Sequence, residues 1–269
     1  MKPIRRSCLV LLVCALLFTG CSIFRRSRSG AAPSGSLIPL NTAEMTAFTK
    51  DENGVVSYPG AIQGIDVSSH QREIDWDAVY QDGIRFAIIQ IGFRGYHESG
   101  SLNVDSRFEE NYENARAAGI AVGVYFYSQA TSREEAKAEA NFVLDTLAGR
   151  KLELPVFFDW EEVSRGRTAG YANTLVSDYA QIFCDTVAEG GYAPGVYFSQ
   201  SYGYMLLNLE ALRSSAFWLA EYGSYQSFGY GVHFWQYTGK GHVAGIEVQV
   251  DRDLMYVEPE AETVTEVAE

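Results

Sequence analysis

Between residues 62 and 256 the chain alternates strand-like and helix-like segments in a fixed order, which restricts the fold more than any single motif does. Runs rich in Val, Ile, Phe and Tyr stand at IQGIDVSS (62–69), FAIIQIGF (86–93), AVGVYFYSQ (121–129), LPVFFDWE (154–161) and PGVYFSQ (194–200). Helix-patterned segments separate them. DWDAVYQDG (75–83) and RFEENYENARAAG (107–119) end on glycines suited to a helix C-terminus. The capping-box pattern Ser132-Arg133-Glu134-Glu135 opens a third helix running toward Gly149, and TLVSDYAQIFCDTVAEGG (174–191) and a helix around MLLNLEALRSS (205–215) complete the set. Then AFWLAEYG (216–223), GVHFWQYT (231–238) and IEVQVDRDLMY (246–256) follow with no helix between them. Apolar strands alternating with helices imply a parallel sheet with right-handed crossovers and both faces covered. Five βα units and three further strands predict a closed α/β barrel whose last part lacks its helical coat; a doubly wound open sheet is the alternative.

The two ends read differently. MKPIRRSCLVLLVCALLFTGC opens with Lys2, Arg5 and Arg6 and continues as an uncharged apolar run too short to span a bilayer comfortably, the pattern of an export signal. It ends in Phe18-Thr19-Gly20-Cys21, which resembles the lipobox of bacterial lipoproteins, so residues 1–20 are expected to be removed and Cys21 lipidated. An ordinary cleaved signal or an uncleaved anchor is the alternative. Residues 21–60, rich in Ser, Gly, Pro and Ala, read as a flexible tether, 61–257 as the folded domain, and 258–269 as an acidic disordered tail. Residues 1–20 hold three basic and no acidic side chains, so the exported part has 18 basic against 34 acidic residues, a net charge near −16. Nucleic acid is excluded as a partner on that balance. With Cys21 lipidated, Cys184 is the one remaining thiol, expected as a buried small hydrophobe in its helix.

LPVFFDWEEV carries the chemistry. Side chains alternate along a strand, so Asp159 and Glu161 point the same way, roughly 6.6 Å apart. Active sites of parallel α/β folds lie at the C-terminal ends of the strands, which also picks out Asp66 and Asp251. If the barrel closes, the first and last strands are neighbours and these four carboxylates converge on one mouth. Such a cluster suits divalent metal binding or acid/base cleavage of glycosidic bonds. His70, His97, His233 and His242 form no ligand-spaced pair, whereas Tyr125, Tyr127, Tyr197, Trp218, Tyr222, Trp235 and Tyr237 stand near strand ends where sugar rings could stack.

GIDVSSHQREIDW, GVYFYSQA, PVFFDWE, FWLAEYG and FWQYTGKGHVAGIEVQVD, in this order and spacing, resemble the glycoside hydrolase family 25 lysozymes, the Chalaropsis-type muramidases. The resemblance runs from about Gln63 to Tyr256 and implies a modified TIM-like barrel, (β/α)5(β)3, that cleaves the β-1,4 bond between N-acetylmuramic acid and N-acetylglucosamine. It implies Glu161 as proton donor, Asp159 as its paired carboxylate, Asp66 and Asp251 as supporting aspartates, and Tyr125, Tyr197 and Tyr222 as tyrosines lining the sugar site; Trp235 is a further candidate for sugar contact. No metal or cofactor is called for, and the expected partners are peptidoglycan strands and, through the lipid, a membrane, with the protein a monomer. In the last motif the family usually has an Asn soon after the aspartate, whereas VDRDL places Arg252 and Asp253 there. A glycan-binding module without catalysis, or a glycosidase of another N-acetyl sugar polymer, is the competing reading.

Overall fold

The computed structural model describes residues 38–171 and 175–257. The expected signal segment, Cys21, the start of the tether and the acidic tail lie outside the described residues. In chain order the elements are β1 (Thr49–Lys50), β2 (Val56–Ser57), β3 (Ile62–Val67), α1 (Trp76–Gln81), β4 (Phe86–Arg94), β5 (Leu102–Val104), α2 (Phe108–Ala117), β6 (Ala121–Ser128) and α3 (Arg133–Leu147). They continue with β7 (Val156–Trp160), α4 (Leu175–Glu189), β8 (Pro194–Ser199), α5 (Gln200–Met205), β9 (Ala216–Ala220), β10 (Phe234–Gly241) and β11 (Val250–Met255).

Strands β3, β4, β6, β7, β8, β9, β10 and β11 hydrogen-bond in that order, and β11 returns to β3, which closes the sheet into the expected α/β barrel. Neighbours are parallel from β3 through β10. The last strand is the exception: β11 runs antiparallel to both β10 and β3. Residues 242–249, which join β10 to β11, are too few for a crossover and serve only a reversal. The short β5 pairs with the end of β4 as an antiparallel spur that the sequence pattern did not reveal.

Local chemistry accounts for the helices and for one displacement. The Ser132 hydroxyl accepts the Glu135 N–H at the start of α3. The Glu135 carboxylate completes only part of the box, accepting from Thr131 N instead. The helix expected over 205–215 lies earlier, because the Ser199 hydroxyl caps α5 through Tyr202 N, and residues 206–215 turn so that Leu209 and Leu212 enter the core. Cys184 is buried on α4.

Inside the barrel, Phe86, Phe157 and Phe234 meet edge to face at ring separations of 5.3 and 5.6 Å and plug the lower half. Gly64 is required there: a Cβ would lie 2.2 Å from the Phe86 ring.

Residues 38–60 are not a free tether. Leu40 bridges Tyr230, Phe48 packs 4.5 Å from Tyr58 and 5.4 Å from Trp235, Tyr58 meets Tyr256, and Val56 is fully buried. The segment covers the side of the barrel that has no helices, where β10 turns Trp235 and Tyr237 outward. Its apolar residues are spaced without helical or strand period, so composition suggested a linker while packing makes it a cover. A chain begun at residue 61 is therefore expected to be less stable than one begun at residue 38 by on the order of 3 kcal/mol, a fall in Tm of roughly 10 °C. Differential scanning calorimetry of the two truncations checks this.

Candidate active site

The upper half of the barrel is open. A cleft of about 500 Å³ is lined by Asp66, Asp159, Glu161 and Asp251, with Tyr125, Tyr127, Tyr197, Trp218, Tyr222 and Gln236 among the walls. All four expected carboxylates thus meet. Asp66 lies near the end of β3, and Asp159 near the end of β7 with Glu161 just beyond it. Asp251 arrives differently from the sequence expectation, from the start of β11, because the antiparallel strand brings its N-terminal end to the same mouth, with Asp251 directly across from Asp66.

Hydrogen bonds organise the walls. Gln236, almost wholly buried, donates from Nε2 to Asp66 Oδ2 at 2.7 Å, and its Oε1 accepts from Tyr197 at 2.9 Å and Tyr222 at 3.2 Å. The Tyr127 hydroxyl donates to Glu161 Oε2 at 3.3 Å. Tyr96, half exposed on the loop after β4, stands edge to face with Tyr127 at 6.0 Å. The Trp218 ring lies 4.5 Å from that of Tyr197, and its Nε1 donates to Asp253 Oδ1 at 2.8 Å.

No lysine or arginine lines the cleft among the described residues, so carboxylates in it lose water without gaining a cation. Burial, and then Glu161, holds Asp159 well above the usual carboxylate range. Glu161 is open to the cleft mouth yet crowded by protein behind, and this desolvation raises it, opposed by the Tyr127 hydrogen bond. The two are close enough to take up protons as a pair. Burial, Asp251 and Asp253 raise Asp66, and burial and Glu161 raise Asp251 to about 6. Asp159 Oδ1 is buried with no hydrogen-bond partner among the described residues. Burial and the same carboxylates raise Tyr125, Tyr127, Tyr197 and Tyr222, which stay protonated as donors.

The family model for glycosyl hydrolases family 25 matches residues 65–246, more than half of the chain and inclusive of Asp66, Asp159 and Glu161. The chain belongs to glycosyl hydrolases family 25. It is similar to the autolytic lysozyme of Clostridium acetobutylicum, 27% identical over 200 residues covering 71% of this chain and 55% of that protein. The chain therefore spans about half the length of that relative. Lysozyme M1 of Streptomyces globisporus is 28% identical over 250 residues, covering 83% of this chain and 81% of the relative. Among solved structures, the bacterial lysozyme from Streptomyces coelicolor superposes with a TM-score of 0.60 at 28% identity, over 73% of this chain and 93% of that one.

Within this family 25 barrel, Tyr125, Tyr197 and Tyr222 reach the cleft as expected and Trp235 does not. Trp235 is fully buried on the outer face of β10, donating from Nε1 to the Glu221 carbonyl against the N-terminal cover. Alternation puts its neighbour Gln236 inside instead. Gln236, Asp253 and Tyr96 escaped the sequence reading as site residues. For Gln236 the available signal was an amide within the otherwise aromatic run FWQY.

Proposed function

We propose that the protein is a peptidoglycan hydrolase, an N-acetylmuramidase that cleaves the β-1,4 bond between N-acetylmuramic acid and N-acetylglucosamine. The observation that carries this reading is the pairing of Asp159 and Glu161 in one aromatic-walled cleft without a nearby cation. Glu161 is the general acid: its carboxyl retains a proton above the ordinary glutamate range and gives it to the leaving oxygen. Asp159 is its partner. The buried, unpartnered Oδ1 is an acceptor without a donor, costly in the free protein and suited to the N–H of a substrate acetamido group. That hydrogen bond favours the ionised form of Asp159, leaves the pair's proton on Glu161, and turns the acetamido oxygen toward the anomeric carbon. Asp66 and Asp251 orient this pair and set its charge, and Tyr125, Tyr197, Tyr222 and Trp218 hold the sugar rings.

The protein acts outside the cell in this reading, exported by residues 1–20 and held at the membrane through a lipid on Cys21, with the remaining linker setting its reach over the wall. Digestion of purified peptidoglycan by residues 38–257, followed by borohydride reduction and mass spectrometry, tests the activity. Fragments ending in reduced N-acetylmuramic acid are expected. Fragments ending in reduced N-acetylglucosamine would assign a different bond, and glycan binding without cleavage would make this a recognition module. The anomeric configuration of the fresh reducing end separates acetamido participation from direct attack by water.

A further inference from the structure

From the geometry beneath the cleft we infer that Asp253 is a positioning residue of this site, its carboxyl sharing one proton with Asp66 so that the two together carry a single negative charge. This rests on the proposed site but not on its activity. Asp251 and Asp253 are two residues apart on β11 and both point into the barrel; Asp251 pairs across to Asp66 and Asp253 to Gly64, so the Asp253 carboxyl is the diagonal neighbour of the Asp66 carboxyl and within hydrogen-bonding reach of it. Asp253 is fully buried. Its Oδ1 takes the Trp218 N–H, and its Oδ2 has no N–H or O–H donor among the described residues. Asp66 Oδ2 takes the Gln236 amide.

The charges that face the pair are all of one sign or neutral. Asp251 faces it from β11 itself, Tyr125 from β6, Tyr197 from β8 and Tyr222 from beyond β9. Arg252 points to the other side of β11, donating to the His242 carbonyl. Two buried carboxyls in contact with no cation cannot both be ionised, and a shared proton satisfies the orphaned oxygen and removes the repulsion together. Burial and Asp251 push Asp253 up to about 8, while the contact between the two carboxyls lowers Asp253 and raises Asp66, which puts the shared proton on Asp66. The hydrogen bonds then run one way, from Tyr197 and Tyr222 to Gln236, from Gln236 to Asp66, and from the Asp66 proton to the orphaned Oδ2 of Asp253, which fixes where Asp66 faces the cleft.

Asp253→Asn supplies at every pH the donor that the shared proton supplies only at lower pH, and its carbonyl still receives the Trp218 N–H. In the parent, a carboxyl raised in the folded state holds a proton that the unfolded chain loses near the ordinary aspartate value of about 3.9, so its stability falls as pH rises from about 4 to about 8. The variant lacks that loss. The expected result is a Tm difference, Asp253→Asn minus parent, that grows by roughly 5 °C or more between pH 4 and pH 8. Asp66→Asn places a donor on the other side of the same contact and should show the same trend, which keeps the test open if the first variant does not fold. A difference independent of pH in both variants, or one that shrinks as pH rises, overturns the shared proton. Peptidoglycan hydrolysis is the second readout: the rate of Asp253→Asn relative to parent should rise severalfold as pH passes 8. Hydrolysis with a flat Tm difference sinks the inference and keeps the muramidase; a growing Tm difference with no hydrolysis by either protein does the reverse.

Discussion

Glu161→Gln is expected to lower peptidoglycan hydrolysis by about 10³-fold or more while leaving the Tm within about 2 °C of the parent. The amide matches the carboxyl in shape and still accepts from Tyr127, whose hydroxyl is 3.3 Å from Glu161 Oε2. It has no proton to give to a leaving oxygen. Removing an ionisable group from a crowded cleft also relieves repulsion on Asp159 and Asp251, both of which Glu161 pushes upward, so the fold should gain rather than lose at neutral pH. The measurement is the initial rate of release of reducing ends, with circular dichroism melting on the same samples. A residual rate within tenfold of the parent would move the acid role to another carboxyl of the cluster. The parent's own pH profile carries the matching sign: activity should fall on the alkaline side, as the proton raised on Glu161 is lost, at a pH above the ordinary glutamate value.

The two carboxylates of LPVFFDWEEV were legible because strand parity needs only the sequence, and their convergence with Asp66 and Asp251 was legible because closure makes the first and last strands neighbours. Direction was not. Nothing in IEVQVDRDLMY distinguishes a parallel strand from an antiparallel one, so Asp251 was expected at a strand end and sits at a strand start, at the same mouth by a different path. Parity also failed once. Trp235 and Gln236 are adjacent, and aromatic chemistry favoured the residue that the barrel turns outward. The role of Asp253 needs the register of β11 on β3, a contact across more than 180 residues that no local pattern encodes. The N-terminal cover failed for a related reason: its apolar residues become significant only beside a barrel face left without helices.

A buried ion pair outside the cleft supports the acid's surroundings, and breaking it gives the largest expected loss of stability. Arg94 closes β4 and is buried, donating from Nε to Glu139 Oε1 at 2.6 Å, from one terminal nitrogen to the Gly100 carbonyl at 2.7 Å, and from the other to the Glu135 carbonyl at 3.1 Å. Glu139, fully buried on α3, also accepts from the Ser128 hydroxyl at 2.6 Å, and burial still pushes it up to about 7. Arg94→Met leaves that carboxyl with the Ser128 hydroxyl and the Gln129 backbone N–H but no cation, at a cost of about 3–5 kcal/mol. Glu139 must then hold its proton more tightly in the fold than in the unfolded chain, so the deficit should be smaller at pH 5 than at pH 8; a deficit of equal size at both would show that lost packing, not the stranded charge, dominates. Arg94→Met combined with Glu139→Leu removes both charges and should recover most of the stability. It should not recover all of the activity. Arg94 also anchors the loop at Gly100, and that loop carries Tyr96 against Tyr127, the residue that donates to Glu161. Urea unfolding of the single and double variants, with hydrolysis rates taken well below each Tm, separates the two contributions: a double variant restored in stability but slowed in hydrolysis places the loop's effect at the acid, and one restored in both confines Arg94 to the scaffold.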